Sequence, residues 1–143
     1  MPAEENKVLV RRFIEQVFEK HQLRAVDELV APDFVPHSWP GVTSVETFKR
    51  ALQKVSAGFQ SDVSMKIEDM IAEGDKVAVR LTLHAIHYGD FLGIPAAGKQ
   101  HTISETHIFY VKHGKVTEHW RDADLLGMMR QLGALPPPER RSH

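Results

Sequence analysis

The stretch H-T-I-S-E-T-H-I-F-Y-V-K-H-G-K-V-T-E-H-W-R-D, His101 to Asp122, alternates in character on both sides of Lys112-His113-Gly114. Alternation of this length marks half-buried strands, and a short glycine-bearing connection makes them an antiparallel hairpin, at roughly 101–111 and 115–122. A two-residue turn at His113-Gly114 requires His113 at positive φ, whereas a three-residue loop asks this only of Gly114, so the longer loop is the expectation. Val111 then pairs with Lys115, His107 lies opposite His119, and Glu105 lies opposite Arg121. All four share one face, because side chains alternate. Ile108, Tyr110, Val116 and Trp120 take the other. One face is ionisable and the other apolar.

Working towards the start, Val77, Val79, Leu81 and Leu83 form an earlier strand, and Val63, Met65 and Ile67 another, with Glu73-Gly74-Asp75 as the turn between them. Before residue 61 the period is helical. Residues 4–21 place Leu9, Phe13, Ile14, Val17 and Phe18 on one face, with Glu4 and Glu5 at the positive end of the helix dipole. A second helix covers about 23–30 and is stopped by Pro32, and a short strand surrounds Phe34. A third helix opens on a Thr43/Glu46 capping box and carries Phe48, Leu52, Val55 and Phe59, with Gly58 near its end. A last helix spans about 124–132, capped by Asp124 or Asp122 and ended by Gly133. The fold class is α+β: a curved antiparallel sheet against three N-terminal helices, plus a short C-terminal helix. A cavity enclosed between the layers is where a ligand binds.

With 143 residues, the chain has room for one domain, read as 1–135, and a flexible tail at 136–143 that begins with three prolines. Basic residues number 18 and acidic ones 19, for a net charge of −1 and no footprint for nucleic acid or an anionic membrane. No apolar run approaches a membrane span and no signal core opens the chain, so a soluble, cytoplasmic protein is expected. The absence of cysteine excludes disulfides, thiolate nucleophiles and Cys-ligated metals. Nine histidines raise the question of a metal. However, His84 and His87 point to opposite strand faces and His113 lies in a turn, so the histidines do not converge as ligands. Neither a phosphate-cradling glycine loop nor a G-x-S-x-G elbow is present. No cofactor and no metal is expected.

Two stretches carry a family likeness: H-Y-G-D-F-L-G-I-P-A-A-G-K, His87 to Lys99, and H-I-F-Y-V-K-H-G-K-V-T-E-H-W-R-D-A-D-L-L-G-M-M-R-Q-L-G, His107 to Gly133. Both resemble SnoaL-like polyketide cyclases, and the helical beginning extends the likeness over almost the whole chain. The resemblance implies the cone-shaped fold of the nuclear-transport-factor-2-like superfamily, homodimers or homotetramers, and an intramolecular aldol ring closure without metal or organic cofactor. It also implies a functional histidine at His107 and an acid/base aspartate at position 121. Here that position is Arg121.

An arginine is always protonated and cannot remove a substrate proton. Three readings follow. His107 is the base with Arg121 as partner of the enolate oxygen, or a carboxylate (Asp122, Asp124 or Glu105) substitutes, or the reaction differs. Catalysis is therefore expected at His107, Arg121 and Asp122, and ligand contact at His37, Trp39, Arg80, His87, Phe91, Glu105, His119 and Asp124. Each has a plainer reading. The ionisable hairpin face is also compatible with a solvated or subunit-contact surface, Asp124 with a helix cap, His37 and Trp39 with loop packing, and Arg80 with surface exposure. Tyr88, Phe91, Leu92 and Ile94 suit a cavity mouth or a subunit contact. The leading expectation is cofactor-independent acid–base chemistry, of cyclase or isomerase type, on a small, largely apolar, ketone- or ester-bearing cyclic molecule. The alternatives are a cofactor-free hydroxylase, an epoxide-type hydrolase and a non-catalytic ligand-binding domain.

Overall fold

The change of period near residue 61 separates two layers in the computed structural model, which describes residues 2–55, 60–87 and 98–135. The helical layer holds α1 (Pro2–Phe13), which runs on as a π-helical turn over Ile14–Glu19, then α2 (Leu23–Leu29) and α3 (Val45–Lys54). The sheet holds β1 (Val30–Pro36), β2 (Gln60–Glu73), β3 (Lys76–His87), β4 (Lys99–Lys112) and β5 (Lys115–Ala123), and α4 (Leu125–Gln131) closes the described chain. Strand order is β1-β5-β4-β3-β2. The four long strands are antiparallel, as expected, but β1 joins the edge parallel to β5. A connection through α3 and three further strands allows this parallel pairing, which no hairpin can make.

The first helix reaches residue 19 by widening. Phe13, Ile14, Val17 and Phe18 are all buried, and the wider turn carries four large apolar side chains in six residues towards the sheet. α3 begins one residue later than the sequence pattern indicates. Ser44 Oγ accepts from the Thr47 amide at 3.2 Å, and Thr47 Oγ1 accepts from the Ser44 amide at 3.0 Å, so the capping box is Ser44/Thr47. Gly58 and Phe59, expected at its end, lie outside the described residues.

The β4–β5 hairpin departs from the expected loop. Lys112 pairs with Lys115, so the turn is the two-residue His113-Gly114, with φ of 52° and 72°. A bulge follows: Val111 pairs with Val116, but Tyr110 pairs with Glu118, and Thr117 is the extra residue. Its hydroxyl donates to the Tyr110 carbonyl at 3.2 Å. As a result His107 lies opposite Arg121 and Phe109 opposite His119. Val116, expected on the face opposite His107, shares the inner face with it and is buried in the core. Bulges within β2 interrupt its ladder with β3 and add curvature.

The core lies between the layers. Phe13 is central, with Phe18, Phe109 and Phe48 at ring separations of 5.1, 5.4 and 6.5 Å. Val77, Val79, Leu81 and Leu83 complete it from β3. Among the described residues, no helix is long and apolar enough to cross a membrane.

Candidate functional site

On the inner faces of β4 and β5, inside this apolar core, four ionisable side chains form one hydrogen-bonded line. The Arg121 guanidinium donates to Glu105 Oε2 at 2.7 Å, His107 Nε2 meets Glu105 Oε1 at 2.8 Å, and His107 Nδ1 meets His119 Nε2 at 2.8 Å. Glu105, His107 and His119 are 2%, 1% and 0% exposed. The side chain of Arg121 is 30% exposed and is the line's one outlet towards solvent. A solvated sheet face is thereby ruled out. Phe109 and Phe18 cover the imidazoles, with Phe109 at 4.8 Å and Phe18 at 5.2 Å from the His119 ring and Phe18 at 5.4 Å from that of His107.

Burial drives the Glu105 carboxyl pKa upward, yet the His107 hydrogen bond and the Arg121 charge together outweigh it and hold the group at about 2. Glu105 is therefore ionised and accepts, which places a proton on His107 Nε2. For His119, burial pushes the pKa well below the ordinary histidine value, and the neighbouring His107, Arg121 and His37 push the same way. With the single proton of neutral His119 on Nε2, the line runs one way: His119 Nε2–H donates to His107 Nδ1, and His107 Nε2–H donates to Glu105. His119 Nδ1 is then a bare lone pair, and it has no hydrogen-bond partner among the described residues.

The expected site residues divide accordingly. His107, Arg121, Glu105 and His119 come together, although both nitrogens of His107 are engaged inside the line. Asp122 does not join them. It is exposed, opposite Thr106 on the outer face, because it alternates with Arg121. Asp124 caps α4, accepting from the Gly127 amide at 2.9 Å. Arg80 also faces outward and bonds Asp69 at 2.8 Å, one strand residue out of step with the inner Val79 and Leu81. His37 sits outside as well, bonding Glu118 at 2.9 Å and stacking on Trp120 at 4.3 Å. Trp39 packs inward on Phe48 and Phe18, with a buried Nε1 that has no partner among the described residues. His87 is buried on the inner face, while His84 bonds Thr102 Oγ1 on the outer one. Phe91, with Tyr88, Leu92 and Ile94, lies outside the described residues.

Sequence reasoning missed two contributors. Ser38 Oγ accepts from the Arg121 amide at 2.7 Å and fixes the strand at that point. His101 is 1% exposed on the same inner face, and neither ring nitrogen has a partner among the described residues. Its place in the alternation His101, Ile103, Glu105, His107 was the available signal. An unmade hydrogen bond at a buried polar atom costs about 1–3 kcal/mol.

The pattern of the family described as SnoaL-like polyketide cyclase matches residues 8–132. The chain belongs to that family. Among curated proteins this SnoaL-like chain is 28% identical over 126 residues to the aklanonic acid methyl ester cyclase DauD of Streptomyces sp. strain C5, spanning 81% of this chain and 78% of DauD. Among solved structures it is similar to TsrD from Streptomyces laurentii, with a TM-score of 0.82, 29% identity and coverage of 92% of this chain and 97% of that one. It is also similar to AclR from Streptomyces galilaeus, described as a candidate hydroxylase. There the TM-score is 0.82 and the identity 25%, with 96% and 91% of the two chains covered. The SnoaL-like fold thus carries, in this chain, a guanidinium at position 121 that is tied to a buried carboxylate.

Proposed function

We propose that this SnoaL-like protein is a cofactor-independent acid–base enzyme of the cyclase type, acting on a small ketone- or ester-bearing polyketide-like molecule. The observation that carries this reading is the unpartnered Nδ1 of His119 at the end of a buried line anchored by an ionised carboxylate. Arg121 and His119 stand two residues apart on one face of β5, roughly 7 Å between Cα atoms. A molecule that reaches both has to enter past the Phe18 and Phe109 rings, which leave His119 0% exposed.

In this reading a substrate carbonyl oxygen rests on the Arg121 guanidinium and its α-carbon on His119 Nδ1. The C–H bond breaks, the proton goes to Nδ1, and the electron pair moves to the oxygen, where the guanidinium stabilises the enolate. The Nε2 proton of His119 passes to His107 Nδ1, so the positive charge comes to rest beside Glu105. Carbon attack on a second carbonyl closes the ring, and the reverse movement of protons neutralises the new alkoxide. The phenyl rings of Phe13, Phe18 and Phe109 keep water from the line. His107 thus acts through His119, and the base atom is one residue pair away from where the family resemblance puts it.

The test follows aklanonic acid methyl ester, the compound in DauD's name, by mass spectrometry with purified protein under nitrogen. Turnover is expected to persist without oxygen and to fall about 100-fold or more in His119→Gln, as for loss of a general base. Unchanged turnover in that variant rejects the assignment. A second reading, hydroxylation, is favoured by the arginine in place of the expected aspartate and by the likeness to AclR. It requires product gaining one oxygen atom and turnover that stops under nitrogen. Exposed Ile71 and Ile108 on the sheet support self-association as a homodimer, to be read from light scattering.

A further inference from the structure

Phe18 stands between the buried imidazoles and the surface. Its ring lies 5.2 Å from that of His119 and 5.4 Å from that of His107, and it also stacks on Trp39 at 6.3 Å with the planes 14° apart. Trp39 is only half-buried, so one way from solvent to the line runs past these two rings. Phe109, the other cover, sits mid-sheet on β4 between Val77 and His119, with Phe13 edge-on at 5.4 Å, and is fixed by the strands on either side. Phe18 instead belongs to the π-helical turn Ile14–Glu19. Two wide hydrogen bonds close that turn, from the Lys20 amide to the Glu15 carbonyl at 3.1 Å and from the Gln22 amide to the Gln16 carbonyl at 2.8 Å. The chain leaves it through His21, in the left-handed region at φ of 53°. Such turns are rare and frequently sit at functional sites. At its end the half-buried Glu19 carboxylate accepts from the Met65 amide of the edge strand β2 at 2.9 Å.

We propose that Glu19 is a positioning residue: its bond to Met65 keeps the π-helical turn wide and the Phe18 ring seated on His107 and His119, and its release lets the turn tighten and carry Phe18 away from them. Tightening to α-helical bonding rotates the residues beyond it by one residue step, about 100°, which takes a ring from the inner face to the flank. The closed form carries a standing cost, because the buried Trp39 Nε1 has no hydrogen-bond partner among the described residues, and water satisfies it once Phe18 and Trp39 part. One charge-assisted hydrogen bond shifts the balance between the two forms by about tenfold. Substrate meets His119 only in the open fraction, so its capture is weakened in proportion to the scarcity of that fraction. The role as an entrance rests on the cyclase reading, whereas the movement itself does not.

Deuterium exchange at the C2 carbon of each imidazole, read by mass spectrometry, follows the movement without any substrate. In Glu19→Ala the exchange of His119 and His107 is expected to quicken about tenfold. That of His101 should stay the same, since it is buried on the same inner face but six residues along β4 from His107, roughly 20 Å from the rings that Phe18 covers. Glu19→Gln, which keeps an acceptor oxygen, should restore most of the protection. An equal rise at all three histidines would mean general loosening, and no rise at His119 would mean that Glu19 does not hold the turn, and either result overturns the proposal. In the active enzyme, Glu19→Ala is expected to lower KM for aklanonic acid methyl ester about tenfold, with a smaller change in kcat. An unchanged KM overturns the entrance. Absence of turnover in the unaltered protein overturns the cyclase reading alone, and the exchange rates still decide the movement.

Discussion

At position 121 a guanidinium occupies the place where the family resemblance implies an aspartate, and the exchange alters the charge logic of every neighbour. An aspartate there would stand beside Glu105 as a like charge and raise one of the two carboxyl pKa values. Arg121 does the opposite, holding Glu105 ionised at about 2, so that the carboxylate accepts from His107 Nε2. Removing it leaves a carboxylate almost fully buried with one hydrogen bond in place of two. Breaking one side of a buried pair costs about 3–5 kcal/mol, and the partial exposure of Arg121 reduces this, so Arg121→Ala should lose roughly 2–3 kcal/mol at pH 7. Urea unfolding measures it. Arg121→Lys, which keeps the charge but gives up the planar fork, should lose less. A loss below about 0.5 kcal/mol in the alanine variant would mean that the pair is no more than a surface bridge.

The elements explain how much of this was legible. Alternation in 101–111 and 115–122 identified the strands, and it correctly grouped Glu105, His107, His119 and Arg121 on one face. The partners were wrong, since the turn and the bulge each move the register by one residue in the same direction, two in all. The turn is one residue tighter than expected, because histidine at φ of 52° is tolerated beside a glycine. The bulge at Thr117 then restores the original parity beyond it. Between turn and bulge, Val116 moves to the inner face and Lys115 to the outer one. Bulges are invisible in a hydrophobic pattern because one inserted residue leaves no compositional mark. Parity also explains why Asp122 and Arg80 lie apart from the inner cluster, for each is one step out of phase with the inner face. Deleting Thr117 tests the element directly. Without the extra residue Val116 still pairs with Val111 and Glu118 with Tyr110, so the ladder becomes regular and His119 and Arg121 keep the inner face. The variant should stay folded and keep His119 and Arg121 in line with Glu105 and His107, measured by thermal melting and product formation. Loss of both fold and turnover would show that the extra twist the bulge gives β5 is needed to seat the line.

For the molecule as a whole, His119, His101 and Glu105 act in one direction on the pH dependence of stability. His119 and His101 have folded pKa values below the unfolded value of 6.5, so below that pH the unfolded chain binds more protons than the native one. Stability therefore falls as pH drops from 6.5 towards the lowered values. Glu105 adds a second loss. Its folded value of about 2 lies under an unfolded 4.5, so its contribution, roughly 3 kcal/mol, is complete above 4.5 and disappears as pH approaches 2. The two windows adjoin. For a domain of this size with a total stability of about 5–15 kcal/mol, the sum is a large share. The unfolding free energy from urea titrations should decline from pH 6.5 to pH 4 with a slope set by the histidines, then steepen below 4.5. In His101→Leu the upper slope should flatten, since one of the buried imidazoles with a lowered pKa no longer takes up a proton on unfolding. An upper slope the same as in the unaltered protein would mean that His101 titrates alike in both states, which requires water at its ring nitrogens and an inner face open at the α4 end.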